Sequence, residues 1–302
     1  MGAQSPFFAL DFSCLLVRLW QNFFGTGLVK TAEDFGNQGE MPSHLDLLDW
    51  LAIDMRESGW DIKKLNKRIV MSATYQQDSK ASAALKEKDP ENRLLARGPA
   101  NRLTSEMIRD NALMASGLLN KKLGGKSIYP YQPEGLWEIN NTNYVQDSTD
   151  AIYRRSLYIV LKRTVPNPTL ANFDGPSRAS CVVRRQSTNT PLQALVTLND
   201  PTFIEAAKVI GESITKQQNT TAAIGLAYRQ LTGITPTSKQ IALLSAMQQA
   251  EYNKFKANPT KIKGWINTGL YKINTTLDPY WVAANSVVAS TILNSDATIT
   301  KR

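Results

Sequence analysis

At 302 residues the chain is long enough to bury one large core or two modest ones, and its 42% hydrophobic and 20% charged residues describe a globular protein, not a disordered one. A formal net charge of +9, from 35 basic and 26 acidic side chains, favours association with polyanions, although charge speaks to partners and solubility and not to fold. With only Cys14, Cys181 and a single histidine, His44, no disulfide framework is indicated, and no CxxC, CxxCH or HExxH is present to hold zinc or attach haem.

The first apolar stretch, FFALDFSCLLVRLWQNFF, is interrupted by Asp11 and Arg18 before it reaches the roughly 20 apolar residues of a spanning helix, so no membrane span is expected. It also lacks the basic region of a secretory signal, and Cys14 is not preceded by the small residues of a cleavage or lipidation site. Residues 1–17 are therefore expected to be an altered or truncated N-terminus.

A helical part is expected over 43–120. In SHLDLLDWLAIDMRESGW, Leu45, Leu48, Leu51, Ala52 and Met55 recur at helical spacing, with Ser43 as cap and Gly59 as stop. Asp61 is placed to cap IKKLNKRIVMSATY, whose Ile62, Leu65, Ile69 and Ser72 share one face. After a polar connection around KEKDPENR, TSEMIRDNALMASGLL carries a stripe of Ile108, Ala112, Ala115 and Leu119. Glu106 and Asp110 share a face beside Arg109, which reads either as ion pairs or as an acid and base pair.

An irregular basic centre is expected over 121–189. Residues 121–150 are rich in glycine, proline, asparagine and aromatics with no sustained period, the mark of a functional or surface loop. Trp137, Tyr129, Tyr131 and Tyr144 read either as a platform for sugar rings or as anchors of the loop to its own core. DSTD at 147–150 falls far short of a cation-binding loop. SLYIVLK at 156–162 is short, apolar and β-favouring and reads as a strand, and TVPNPTLANFDGPS after it reads as loop.

The C-terminal part, 190–302, returns to helical periodicity in AAKVIGESI, TAAIGLAYRQL, TSKQIALLSAMQQAEYNKF and WVAANSVVASTILN, and no internal repeat is found. Its start, TNTPLQAL, reads as a capping box, with Thr190 as cap, Pro191 at the first helical position and Gln193 three residues on. In NDPTF the device recurs, with Asp200 as cap and Pro201 first. The expected fold is mainly α: a helical domain with a long irregular, arginine-rich central segment and at most a minor β element.

Helix starts present free N–H groups to an anion, and Arg184 and Arg185 precede one by only a few residues. Arg154, Arg155, Arg163 and Arg178 add guanidinium forks that pair with carboxylate, sulfate or phosphate. Two readings stand: arginines bracing the loops through carbonyls and acids, or arginines gathered at the Thr190 helix around an acidic ligand. In the second, the candidate ligand-binding residues are Arg154, Arg155, Arg163, Asp174, Arg178, Arg184, Arg185, Asn189 and Thr190. No catalytic residue is assigned, although Asp174, Glu106 or Asp110 in the same cleft would serve an enzyme. Cys181 with His44 reads as a nucleophile and base only if they meet; a buried cysteine that packs is the expectation. Nucleic acid has only the net charge in its favour, because no reading helix or motif is present.

Together WQNFFGTGLVKTAEDFGNQGEMPSHLDLLDWLA, GWDIKKLNKRIVMSATYQQ, DPENRLLAR, RLTSEMIRD, YRRSLYIVLKRTVPNPTLANFDGPSR and CVVRRQSTNTPLQALVTLNDPTFIEAA resemble the planctomycete-type domain of unknown function 1553, over residues 18–302. The resemblance implies an exported, extracytoplasmic protein in which this domain follows upstream domains, often including a cytochrome c domain. It implies no cofactor in this chain, with haem c belonging to those missing upstream domains, and it supplies no activity. Val17 stands where the family pattern has asparagine, and Ala179 where it has an acidic residue. The functional expectation is an accessory module that binds an acidic ligand such as an anionic glycan; the alternative is a hydrolase-like or redox-associated enzyme domain.

Overall fold

Most helices of this protein begin where an aspartate, asparagine, serine or threonine side chain accepts from a first-turn amide, satisfying a donor the helix itself leaves open. The computed structural model describes residues 6–35, 38–138 and 143–301; residues 139–142 of the irregular centre and 1–5 of the N-terminal segment lie outside it. It is mainly α, with one two-stranded sheet among the described residues. The chain forms two compact units, Met1–Arg102 with Thr300–Arg302, and Leu103–Ile299.

The first unit holds α1 (Pro6–Phe24), α2 (Leu45–Glu57), α3 (Ile62–Met71), α4 (Ala83–Lys88) and β1 (Asn101–Arg102), which pairs antiparallel with β2 (Thr300–Lys301). Its core joins Leu16, Val17, Trp20 and Phe24 of α1 to Leu48, Leu51 and Met55 of α2 and to Leu65 and Ile69 of α3. The expected stripes of α2 and α3 thus face inward, and the Asp61 side chain accepts from the Lys64 amide as the cap of α3. Ser43 does not cap α2. His44 occupies the cap position without a side-chain bond, and the Ser43 hydroxyl donates instead to the Leu28 carbonyl.

The second unit holds α5 (Ser105–Ser116), α6 (Pro168–Asn172), α7 (Pro191–Asn199), α8 (Pro201–Thr215), α9 (Thr220–Thr232), α10 (Ser238–Ala257), α11 (Lys263–Ile266), α12 (Pro279–Leu293) and α13 (Asp296–Ile299). Asp200 and Asp278 start α8 and α12 in the same way, each accepting an amide two residues on, with proline first in the helix. Ten of the fifteen residues of α12 are buried, as expected of a helix that is apolar on most sides. It lies against α8 closely enough that a Cβ on Gly211 would stand 2.6 Å from the Ser286 amide nitrogen. Small residues on both helices, Ala206 and Ala207 on α8 and Ala283, Ala284 and Ala289 on α12, have no exposed surface. Around this spine Phe203, Ile210, Ile214, Val288 and Ile292 fill the core, each contributing about 1.5–3 kcal/mol by burial.

Residues 156–162 do not form the expected strand. Ser156–Tyr158 is a single 3-10 turn, and beyond it only isolated bridges form, Ile128 with Ile159 and Lys162 with Val165. Asp110 accepts from the Ser156 amide at 2.8 Å, and the pairing stops at one neighbour: the Tyr158 carbonyl accepts from the Ile128 amide at 2.8 Å and the Val160 amide donates to the Ile128 carbonyl at 2.9 Å. Among the described residues no helix is long and apolar enough to cross a membrane.

Candidate functional site

Arginines in and against the irregular centre occupy two distinct environments. Arg109 and Arg154 are buried and brace loops. Arg109 reaches from α5 to the Ile152 and Arg154 carbonyls and the Ser156 hydroxyl; burial lowers its pKa from the ordinary arginine value. Arg154 donates to the Lys126, Lys122 and Gly124 carbonyls, and its guanidinium lies 3.8 Å from the centroid of the Tyr158 ring. These contacts hold residues 122–126 and 151–158 against α5, and Arg154 belongs to this internal clasp.

The others lie at the surface. Arg155 is half-exposed, its Nε 4.0 Å from an Asp110 carboxylate oxygen. One turn earlier on α5, Glu106 receives Arg185 at 2.7 Å. Both carboxylates of that face are therefore matched to arginines from the centre. Arg163 is exposed in a separate turn between Lys162 and Val165. Arg178 and Arg184 are exposed on the loop before α7, Arg178 with φ of 60°.

That loop is closed by its own ends. Asp174, with φ of 58°, accepts the Thr188 amide at 2.8 Å and the Thr188 hydroxyl at 3.0 Å. Gln193 then donates to the Asn172 and Thr188 carbonyls, both at 3.0 Å. This replaces the expected capping box: Thr190 holds the cap position of α7 without a side-chain bond, and the Gln193 amide is turned inward onto the loop closure. Asp174, Arg178, Arg184, Arg185, Asn189 and Thr190 thus share one closed loop and the helix start it leads into. Arg154, Arg155 and Arg163 do not belong to it. A shallow cavity of about 150 Å³ adjoins the helix start, with Asn189, Thr190, Gln193, Thr197, Asn294 and Asp296 among its lining residues.

From Gly175 to Asn199 the chain contains Arg178, Arg184 and Arg185 and no aspartate or glutamate. The three carboxylates considered for acid and base chemistry are engaged elsewhere: Asp174 by Thr188, Asp110 by Ser156 and Glu106 by Arg185. Cys181 is exposed, against the expectation of a packed cysteine, because it sits on this polar loop away from any core.

Tyr129, Trp137 and Tyr144 pack edge to face, with centroids 5.1–6.0 Å apart, and the Lys162 ammonium stands 4.4 Å from the Trp137 ring. Their rings anchor the loop to itself. Tyr131 separates from them to donate to Glu205 at 2.8 Å.

Two features are absent from the reading of the sequence. On α8, Glu205 also accepts from the Tyr153 hydroxyl and the Tyr271 amide, at 2.8 and 2.6 Å. Lys208 donates to the Thr268 and Tyr271 carbonyls at 2.5 and 2.6 Å. Both side chains are fully buried. Burial, then Glu205, pushes the Tyr131 and Tyr153 hydroxyls well above the usual tyrosine range, and burial holds the Lys208 ammonium below its own. The second feature is the outer face of α7, where Leu192, Leu195 and Leu198 are 58%, 54% and 40% exposed. A spacing of three in LQALVTL was the available signal.

Residues 13–248 match the family model described as "PSD1: Protein of unknown function (DUF1553)". No curated protein and no solved structure matches the chain.

Proposed function

The chain belongs to the DUF1553 family, and we propose that it is a binding module whose arginine loop before α7 takes an acidic ligand, such as an anionic glycan. One observation carries this reading: a closed, exposed loop bearing three arginines and no acid leads directly into a helix start that no side chain caps. Guanidinium forks and open amide donors attract the same ligand chemistry, carboxylate, sulfate or phosphate. In this proposal the domain works outside the cytoplasm, joined to upstream domains that carry haem c, the setting its family resemblance implies.

Retention on an acidic polysaccharide column tests the binding reading. The protein should elute at lower salt when Arg178 and Arg184 are both changed to alanine, with its melting temperature unchanged. These two positions are chosen because Arg185 also holds Glu106. Unaltered elution would reject the arginine loop as a binding surface.

A further inference from the structure

The two fully buried side chains of helix α7 are polar, and its leucines are in solvent. Gln193 and Thr197, one turn apart, are each 2% exposed, Gln193 against Asn172 and Thr188 and Thr197 against Asn294, with Val196 half-buried beside them on the core, while Leu192, Leu195 and Leu198 line the opposite face in solvent. A surface helix of a globular protein ordinarily does the reverse. Val182 and Val183, on the arginine loop leading into the helix, are exposed as well. The polar inner face is fixed in place: Gln193 clasps two carbonyls, and the Thr197 hydroxyl donates to the Asn294 side chain at 2.6 Å. The helix therefore cannot roll its leucines inward without breaking those bonds. Contiguous outward apolar residues of this kind mark an interaction surface.

Resting on the reading of the arginine loop as an acid-binding surface, we propose that its ligand is an acidic amphipathic polypeptide segment. Such a segment lays apolar side chains along Leu192, Leu195 and Leu198 and places its carboxylates on Arg178 and Arg184. Charge complementarity selects this occupant. Residues 175–199 carry three arginines and no acid, so a second copy of the same face would bring like charges together. A polysaccharide satisfies the arginines but leaves the leucines in water. An anionic lipid surface would satisfy both, yet the face lacks the aromatic residues of interfacial helices, and Glu106 stands beside Arg185. Guanidinium forks match carboxylates bidentately, and a short helix with leucines at three-residue spacing matches an apolar groove or helix face.

The full chain would be screened against a displayed library of random peptides, in parallel with heparin and with phosphatidylglycerol vesicles. Two variants accompany it, L192S/L195S/L198S and R178A/R184A, each checked for an unchanged melt. Enriched peptides should combine leucine-type and acidic residues, and should bind each variant about tenfold or more weakly. An enrichment without acidic residues, or peptides indifferent to the leucine variant, overturns the proposal, as does a library that yields none. Heparin binding lost in the arginine variant and kept in the leucine variant, with no peptide enriched, would overturn it while leaving the acid-binding reading standing. Vesicle binding lost in both, without peptide binding, would replace the polypeptide by a membrane. If R178A/R184A alters no probe, the acid-binding reading itself falls.

Discussion

Glu205 accepts three hydrogen bonds, and Lys208, one turn along α8, donates to backbone carbonyls of the segment that leads to α12. Removing one member strands the rest in the interior, which costs more than the bonds are worth in themselves. Lys208→Met should lower the unfolding free energy by about 3 kcal/mol in urea titrations, and Glu205→Leu by about 3–5 kcal/mol. The two tyrosines predict the alkaline limb. Their folded pKa values lie above the unfolded value of 10.0, so the folded state keeps protons that the unfolded state has released, and stability falls as pH rises past that value. Lys208, depressed in the fold, contributes with the opposite sign between its lowered value and 10.5. Changing both Tyr131 and Tyr153 to phenylalanine should flatten the alkaline loss, read as melting temperature against pH. Glu106 is the acid counterpart. Burial, the largest single influence, would raise its carboxyl, but the Arg185 hydrogen bond and charge, its own backbone amide and the Ser105 hydroxyl together outweigh it and leave it below the usual range. The stability from this pair is present above the ordinary carboxylate value and lost as pH falls through the lowered one. Arg185→Ala should move the Glu106 midpoint upward in a carboxyl carbon NMR titration, with a stability cost below about 1 kcal/mol because the arginine is partly exposed.

At the level of elements, caps and periodicity made most helices legible. Asp61, Thr104, Asp200 and Thr237 each accept a first-turn amide, and the Thr237–Gln240 pair forms a full capping box. Such signals are local, needing only a few neighbouring residues, so sequence carries them. TNTPLQAL shows their limit. Thr190 and Gln193 have the right spacing for the same box, yet the closing of the 174–188 loop supplies two carbonyls that outcompete it for the glutamine amide. The apparent strand at 156–162 fails similarly, since Asp110, far earlier in the chain, takes the Ser156 amide and Ile128 supplies a single bridge where a whole strand would be needed. The buried glutamine and exposed leucines of α7 yield a contrast in stability. Gln193→Leu should destabilise by about 1–3 kcal/mol, because two carbonyls lose their donor. The triple leucine-to-serine variant should leave stability within about 0.5 kcal/mol and reduce nonspecific adhesion. Opposite results in differential scanning calorimetry would mean that the leucines, not the glutamine, hold the helix in place.

Over the whole chain, composition indicated a globular protein of one or two cores, and each of the two units has its own, around α1–α3 in the first and around α8 and α12 in the second. Arginines bracing loops through carbonyls was one of the two readings the sequence allowed, and Arg109 and Arg154 do so; which carbonyls they reach, and the Glu205 and Lys208 network, lay beyond it, because those partners are set by tertiary packing and not by spacing. The first unit also depends on residues from the far end of the sequence. Lys301 donates to the Phe23 carbonyl at 3.1 Å, and its ammonium stands 4.4 Å from the Tyr75 ring, beside the short ladder that β2 makes with β1. Losing one hydrogen bond and one cation–π contact costs about 1–2 kcal/mol, and sites without shared partners behave additively. Lys301→Ala should therefore speed amide hydrogen exchange in α1 and around Tyr75 while leaving α8 and α12 at their original protection. Equal loss of protection in all four segments would show that the two cores unfold as one cooperative body and that the contact at Lys301 matters to both.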